Sequence, residues 1–525
     1  VEEGFMENFY AVLIDVASIQ EYIFSSNKLK ENVGASYLVE NIFKEELKTA
    51  LAKTLSLCKK DIDLDSWKRN PNIHPILNGE KYEIGYIGGG NALLLFKEDI
   101  IKNFIKEFTV LLIQNTPGLR TNFGTIGDFD FNNFKDSMER LNSSLKVNKN
   151  SYFPITTMPK HGITADCPLS GESAEFLYEG QFVSGVSFAK IGETESSRER
   201  ITEIFREIPN GKYAFTNDIE ELVSKNQIRH EIAVVHIDGN GMGARIKSCR
   251  TLNELRTLSI CMGDSVIKAL QFALKELIKI IESGKVKDAS IVLNEGENGC
   301  TILPIRPIVI GGDDVTFVCD ARLAFFITEK FIEQYSSQSF GDSSFSTSAG
   351  ICIVKLKYPF FKAYKFAEEL CEESKKKARK HPGYSYIDFF ISLGGETGEI
   401  DEIRERHFST PLGVLNFGPY LYDTEDASRD DHTLMDLKKC IKHFRDKFTR
   451  AKLMQLRDVI LSSSAEECKA FAKELCQKGL SLFEVSGGVY HDTIWHSQET
   501  PYYEALELLD FYPAEILEVS DDPQD

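Results

Sequence analysis

Asp313 and Asp314 stand side by side in IRPIVIGGDDVTFVCD, directly behind Gly311 and Gly312. Apolar, β-branched residues flank the four on both sides, so the segment reads as the tight turn of a β-hairpin with two carboxylates exposed at its tip. Carboxylates held that close repel each other unless a cation sits between them. Mg²⁺ or Mn²⁺ takes such oxygens, usually together with substrate phosphates. The chemistry this suits is nucleotidyl transfer, in which two metals roughly 3.5–4 Å apart hold the attacking and leaving oxygens. A third carboxylate lies upstream. In EIAVVHIDGNGMGARI the apolar run Ile232–Ile237 ends at Asp238, followed by Gly239, Asn240, Gly241 and Gly243. A glycine-rich turn after a strand lets backbone N–H groups approach phosphates. Asp238 meets the Asp313–Asp314 pair if the two strands are neighbours. The alternative is two unrelated turns, since Asp-Gly is common loop chemistry.

The elements that must position these residues occur twice. Near the N-terminus, FYAVLIDVASIQEYIF ends an apolar run at Asp15, and EIGYIGGGNALLLF sets Gly88-Gly89-Gly90-Asn91 between two apolar runs. Gly90 follows Asp15 by 75 residues, as Asp313 follows Asp238. Ser36 follows Asp15 by 21 residues, as Ser259 follows Asp238, each within a helix-like apolar pattern. Coincidences in register argue for duplicated domains. The first copy keeps Asp15 but has lost the acidic pair, so it is expected to hold a nucleotide without catalysing. After the second hairpin come a strand, FSTSAGICIV, and a helix-prone stretch, KAYKFAEELCEESKKKARK. Lys375 and Arg379, four apart, share a helix face and could grip a triphosphate, or could form a solvated basic surface.

The ordered motifs D-G-x-G-M-G, G-G-D-D, T-S-A-G-I, a Lys/Arg helix and the strand SYIDFFI resemble the second palm domain of the polymerase-cyclase large subunit of type III CRISPR effector complexes. DVASIQEYIF…GAS resembles the first palm, and TADCPLSGESAEF (Thr164 to Phe176) the segment linking the two. The resemblance spans roughly residues 8–395. It implies an α+β chain with two ferredoxin-like palm domains of the GGDEF and polymerase type. It further implies ATP as substrate, joined 3′ to 5′ into cyclic oligoadenylate messengers in antiviral defence. By motif match, Asp238, Asp313 and Asp314 carry the metals. Nucleotide contacts fall at Asp15, Ser36, Gly89, Gly90, Gly239, Asn240, Gly241, Ser259, Gly311, Gly312, Lys375 and Arg379. Of these, Ser36 and Ser259 touch base or ribose, and Lys375 and Arg379 grip phosphates. The implied partners are protein subunits of an RNA-guided complex, with RNA contacted mainly through them. The chain departs from the family in three respects. Asn240 stands where many members have an acid, no C-x-x-C zinc ribbon is present, and the first palm strand begins by about Phe9, leaving no room for an HD nuclease domain.

Composition bounds the rest. A chain of 525 residues suits three or four domains. The expected boundaries are 1–150 for a degenerate first palm, 151–225 for a small, mainly helical linker domain, 226–400 for the catalytic second palm and 401–525 for a helical C-terminal domain. In the last, TLMDLKKCIKHFRDKFTRAKLMQLRDVIL has the apolar spacing of bundle helices, and the tail SDDPQD is expected to be disordered. The net charge of −19 disfavours broad nucleic-acid binding, and the cations cluster at Lys375 to Lys380 and Lys438 to Lys452. Eleven cysteines scattered without C-x-x-C suggest reduced thiols in a cytoplasm. No uninterrupted apolar run is long enough to span a membrane, and Met6 is a candidate natural start. His491-Asp492 with His496 could suggest a phosphohydrolase, but His407, His432 and His443 upstream have no ligand-like spacing, so the histidines read as structural. Two other functions stay open: a GGDEF-like cyclic dinucleotide synthase using GTP, and a non-catalytic nucleotide-binding scaffold.

Overall fold

In a computed structural model of the chain, the residues described are 9–151, 160, 162–208, 211–226, 229–296, 299–341, 343–392, 394–396, 398–422, 432–461, 464–485, 490 and 493–517. His491-Asp492 and the SDDPQD tail lie outside them.

The fold is α+β, and its two main sheets follow one plan. The first contains β1 (Phe9–Ala17), β2 (Tyr82–Gly88), β3 (Asn91–Phe96) and β4 (Arg120–Phe129), in the order β2-β3-β1-β4. The second contains β5 (Glu231–Gly239), β6 (Ile305–Gly311), β7 (Asp314–Asp320) and β8 (Thr347–Lys355) in the matching order β6-β7-β5-β8. It continues through β9 (Ser385–Ile391) and β10 (Tyr420–Tyr422). The two apolar runs that end in aspartate, β1 and β5, are thus the interior strands. Ala11, Val12 and Ile14, like Ala233, Val234 and Val235, are essentially inaccessible, as strands covered on both faces must be.

Helices follow in parallel. After β1 come α1 (Ile19–Phe24) and α2 (Leu29–Asn41), after β3 comes α3 (Ile101–Asn115), and after β4 comes α4 (Phe134–Ser151). In the second copy α5 (Leu252–Glu282), α6 (Ala324–Ser336) and α7 (Phe360–Lys380) take the corresponding places. One glycine in each copy explains how closely the last helix sits on its strand. A Cβ on Gly124 would lie 2.5 Å from the Leu141 carbonyl oxygen, and one on Gly350 would lie 2.0 Å from that of Ala367. Helix α5 is the one described helix long and apolar enough to cross a membrane by length and composition. Its Leu258, Ala269, Leu270, Ala273, Leu274 and Leu277 recur at helical spacing and are buried in the protein.

Helices Gly185–Gly192 and Thr194–Ile204, with the small hairpin Phe176–Tyr178/Gln181–Val183, form the segment after α4. Gly34 admits it: a Cβ there would collide with the Lys190 carbonyl. The C-terminal region is mainly helical, with α8 (Ile400–His407), α9 (Leu434–Lys447) and α10 (Tyr502–Leu508), and it also donates β10, which pairs antiparallel with β9. Arg404 forks onto the fully buried Asp388 of β9 at 2.8 Å to each oxygen, and Lys438 reaches Glu329 of α6 at 2.6 Å. All eleven cysteines are free.

The chain divides into two compact units. One comprises Val1–Arg206, Gly241–Ile267 and Ile308–Asp314, the other Glu207–Asn240, Lys268–Pro307 and Val315–Asp525.

Candidate functional site

The Gly-Gly-Asp-Asp segment turns between β6, which ends at Gly311, and β7, which begins at Asp314. Gly312 has φ 61°, a left-handed conformation that glycine adopts without strain. The first copy builds the same turn. Strands β2 and β3 pair with Gly88 opposite Asn91, and Gly89 and Gly90 take φ 58° and 76°.

The sequence reading puts both aspartates exposed at the tip. Both are instead half-buried, and burial pushes the Asp313 carboxyl above the usual carboxylate range. Asp313 lies in the turn and Asp314 opens β7, so the pair divides. In the second sheet β5 lies beside β7, and ligand atoms of His236, Asp238 and Asp314 lie within 4.8 Å of one another. Asp313 is not in that set. The first sheet shows the register behind this: Asp15 on β1 stands opposite Asn91, the residue in Asp314's place. His236 is buried and held neutral, its pKa depressed to about 3 by burial and then by the nearby Lys375 charge. Its Nδ1 is 2.9 Å from the Thr316 hydroxyl.

Two oxygen donors and an imidazole fit a divalent cation, and the protein supplies a cationic stand-in at the same place. Lys375 of α7 makes an ion pair with Asp238. Burial, and secondarily Arg379, lower its ammonium pKa to about 8. Arg379 itself is largely exposed and pairs with Glu372 at 2.8 Å. Asn240 is committed to the fold. It donates to the Ser346 hydroxyl and the Tyr384 carbonyl and accepts from the Ser348 hydroxyl at 2.8 Å. Gly239 closes β5, and Gly241 takes φ 72° before the short helix Met242–Ser248. Ser36 is buried on α2 and Ser259 is half-buried on α5. Within the first unit, Ser259 Oγ lies 3.0 Å from the position a Cβ on Gly88 would take, and Gln20 of α1 donates to Asp314 at 3.3 Å.

Residues 231–382 match the family model for the second palm domain of Cas10/Cmr2. This segment resembles a Cas10/Cmr2 palm. The match covers less than a third of the chain. No curated protein sequence matches. Among solved structures, a Csm1–Csm4 cassette in complex with pppApA is similar at 14% identity and TM-score 0.50, covering 96% of this chain and 70% of that one. A Csm1–Csm4 subcomplex of the type III-A Csm interference complex (14%, TM-score 0.49) and Csm1 of T. onnurineus (13%, TM-score 0.48) each cover 98% of this chain and 70% of theirs. At such identities the likeness concerns the fold.

The two sheets also carry groups that the sequence pattern does not mark as functional. His236 sits inside an apolar run, where a histidine reads as core. Lys149 of α4 pairs with Asp15 at 2.6 Å, the first-copy counterpart of Lys375 on Asp238. Each lysine lies 25 residues after the glycine that seats its helix, Gly124 or Gly350, and that spacing could have found it.

Proposed function

We propose that this chain is a palm-type nucleotidyltransferase that converts ATP into cyclic oligoadenylate messengers, acting in the cytoplasm as a subunit of an RNA-guided type III effector complex. The observation that carries the reading is the convergence of Asp238, Asp314 and His236 at the end of two neighbouring strands of a segment that resembles a Cas10/Cmr2 palm. Neighbouring structures were solved with Csm4 and with pppApA or cA4, which supports nucleotide and protein partners of this kind here.

In this reading Asp238 and Asp314 hold Mg²⁺ or Mn²⁺, with Asp313 adding negative charge to the same site. The bound cation would supply Lewis acidity toward the α-phosphate. The 3′-oxygen of one adenylate forms the new P–O bond, pyrophosphate leaves, and the 3′ proton passes to solvent. Lys375 exchanges Asp238 for a phosphate when a cation and nucleotide arrive, because an ammonium and a divalent ion compete for one carboxylate. Gly311 and Gly312, with Gly239, Asn240 and Gly241, bring the backbone close to the phosphates, and Arg379 extends the cationic face. The first copy holds the second nucleotide through Asp15, Ser36, Gly89 and Gly90, and Ser259 contacts base or ribose. The domain limits proposed from sequence, 1–150, 151–225, 226–400 and 401–525, assign one nucleotide to each palm.

The test is incubation of the purified chain with each NTP and Mg²⁺ or Mn²⁺, followed by mass spectrometry. Cyclic or linear oligoadenylates are expected from ATP, and product from GTP alone would favour a cyclic dinucleotide synthase. A nucleotide-binding scaffold is the second reading. It is favoured by the Lys375–Asp238 pair, which neutralises the site without a metal, and it predicts nucleotide binding with no product.

A further inference from the structure

Arg256 is among the largest fully buried side chains of the protein, and it lies on α5 three residues before Ser259. A buried guanidinium is costly unless its five N–H groups are all paired. Here they are. Nε donates to the Gly85 carbonyl at 2.7 Å, Nη1 to the carbonyls of Pro71 and Ile73, and Nη2 to the Ile84 carbonyl at 2.6 Å and to Glu83 at 2.7 Å. Glu83 is equally buried, and its other oxygen accepts from the Ile76 amide at 3.2 Å.

The acceptors show what this arginine holds. Strand β2 is at the edge of the first sheet, so one row of its carbonyls has no strand partner. It also bulges at Gly85, where the register to β3 shifts between Ile84 and Tyr86. Arg256 takes the carbonyls at that bulge, and β2 runs on from it into the Gly88–Asn91 turn. That turn abuts the acidic one: a Cβ on Gly312 would lie 3.2 Å from Gly89 Cα, and one on Gly88 would lie 3.0 Å from Ser259 Oγ. All of these residues belong to the first unit.

We propose that Arg256 is a positioning residue. Through Glu83 and the bulge carbonyls it fixes the Gly-Gly-Gly-Asn turn against the Gly-Gly-Asp-Asp turn, and so sets the spacing of the two nucleotides that the proposed reaction joins. The proposal rests on the proposed nucleotidyl transfer for its consequence, but not for the clamp itself. Arg256 touches no metal-site carboxylate in the hydrogen-bond pattern, so its loss acts on the approach of one nucleotide to the other.

The experiment compares the full chain with Arg256→Met and Arg256→Lys by two readouts. In hydrogen exchange, the amides of Gly85 to Asn91 should exchange at least tenfold faster in Arg256→Met, with Arg256→Lys between it and the unsubstituted chain. In ATP turnover, kcat should fall at least thirtyfold in Arg256→Met and by a smaller factor in Arg256→Lys, while KM for ATP stays within threefold. Unchanged exchange in either folded variant overturns the clamp, and faster exchange with unchanged kcat overturns its role in spacing. Should Arg256→Met not fold, Arg256→Lys decides both points by the same criteria. Should the unsubstituted chain turn over no nucleotide, the exchange readout still decides the clamp, and that failure belongs to the proposed reaction.

Discussion

Asp313 and Asp314 are adjacent in sequence but differ in surroundings. Asp314 faces Asp238 and His236 across neighbouring strands and accepts from Gln20, whereas Asp313 sits in the turn with a carboxyl that burial makes harder to ionise. The two should therefore respond differently to loss of charge. Asp314→Asn removes a charge from the convergent set and should weaken Mn²⁺ binding at least tenfold, about 1.4 kcal/mol. Asp313→Asn should weaken it less, and calorimetric titration of both variants with Mn²⁺ would show the order. Equal losses would mean that the two carboxylates share the ion symmetrically. The turn itself was legible in sequence because glycine pairs between β-branched runs leave few alternatives. The division of labour was not, since which aspartate faces the neighbouring strand depends on register, and register is a property of the pairing.

At the scale of elements, the duplication could be read as far as the hairpin and Ser36/Ser259 because insertions had not yet shifted the count. Past the hairpin the two copies drift: Lys149 follows Asp15 by 134 residues and Lys375 follows Asp238 by 137. The matching lysines therefore escape a search at fixed spacing, although the structure puts both on the same partner. The glycines that seat α4 and α7 restore the alignment and carry a consequence for stability. Gly350→Ala would push a Cβ to 2.0 Å from a helix backbone oxygen that has no rotamer to escape into. It should destabilise the chain by about 1–3 kcal/mol or more, the usual cost of overpacking. Gly243→Ala, where a Cβ would meet nothing within 4 Å, should not destabilise it. Thermal melts of the two variants make the comparison, and equal melting temperatures would contradict the close seating of α7 on β8.

At the scale of the whole molecule, the C-terminal region was expected as a helical addition, yet it completes the second sheet through β10 and satisfies charges buried beneath it. Strand β10 has only three residues, too short to stand out by pattern. Its neighbourhood contains Glu504, buried on α10, which accepts from the Phe417 and Gly418 amides and the Tyr420 hydroxyl and faces the Arg404–Asp388 pair. Burial raises its pKa to about 7. Between roughly pH 4.5 and 7 the folded chain keeps a proton that the unfolded chain has released. Stability should therefore fall as pH rises through that window, by about 3 kcal/mol for this group, and level off above it. Glu504→Gln is permanently neutral and should flatten the profile between pH 5 and 8 in urea unfolding. An unaltered profile would show that the group is ionised in the folded state.

The first unit draws on residues 241–267 and 308–314 as well as the first 206, and this bears on how the chain is made. A ribosome releases sequence from the N-terminus at about 5–20 residues per second. Glu83 is synthesised 173 residues before Arg256, the cation that neutralises it. For something on the order of 10–30 s, at that rate, the nascent first copy exists with a carboxylate at its edge strand that has only His74 and the Ile76 amide beside it, and a bulge whose carbonyls lack their arginine. Its final closure is thus a late event in translation. Nascent chains stalled before residue 256 should be cleaved readily by protease around β2, and those stalled well past residue 314 should resist.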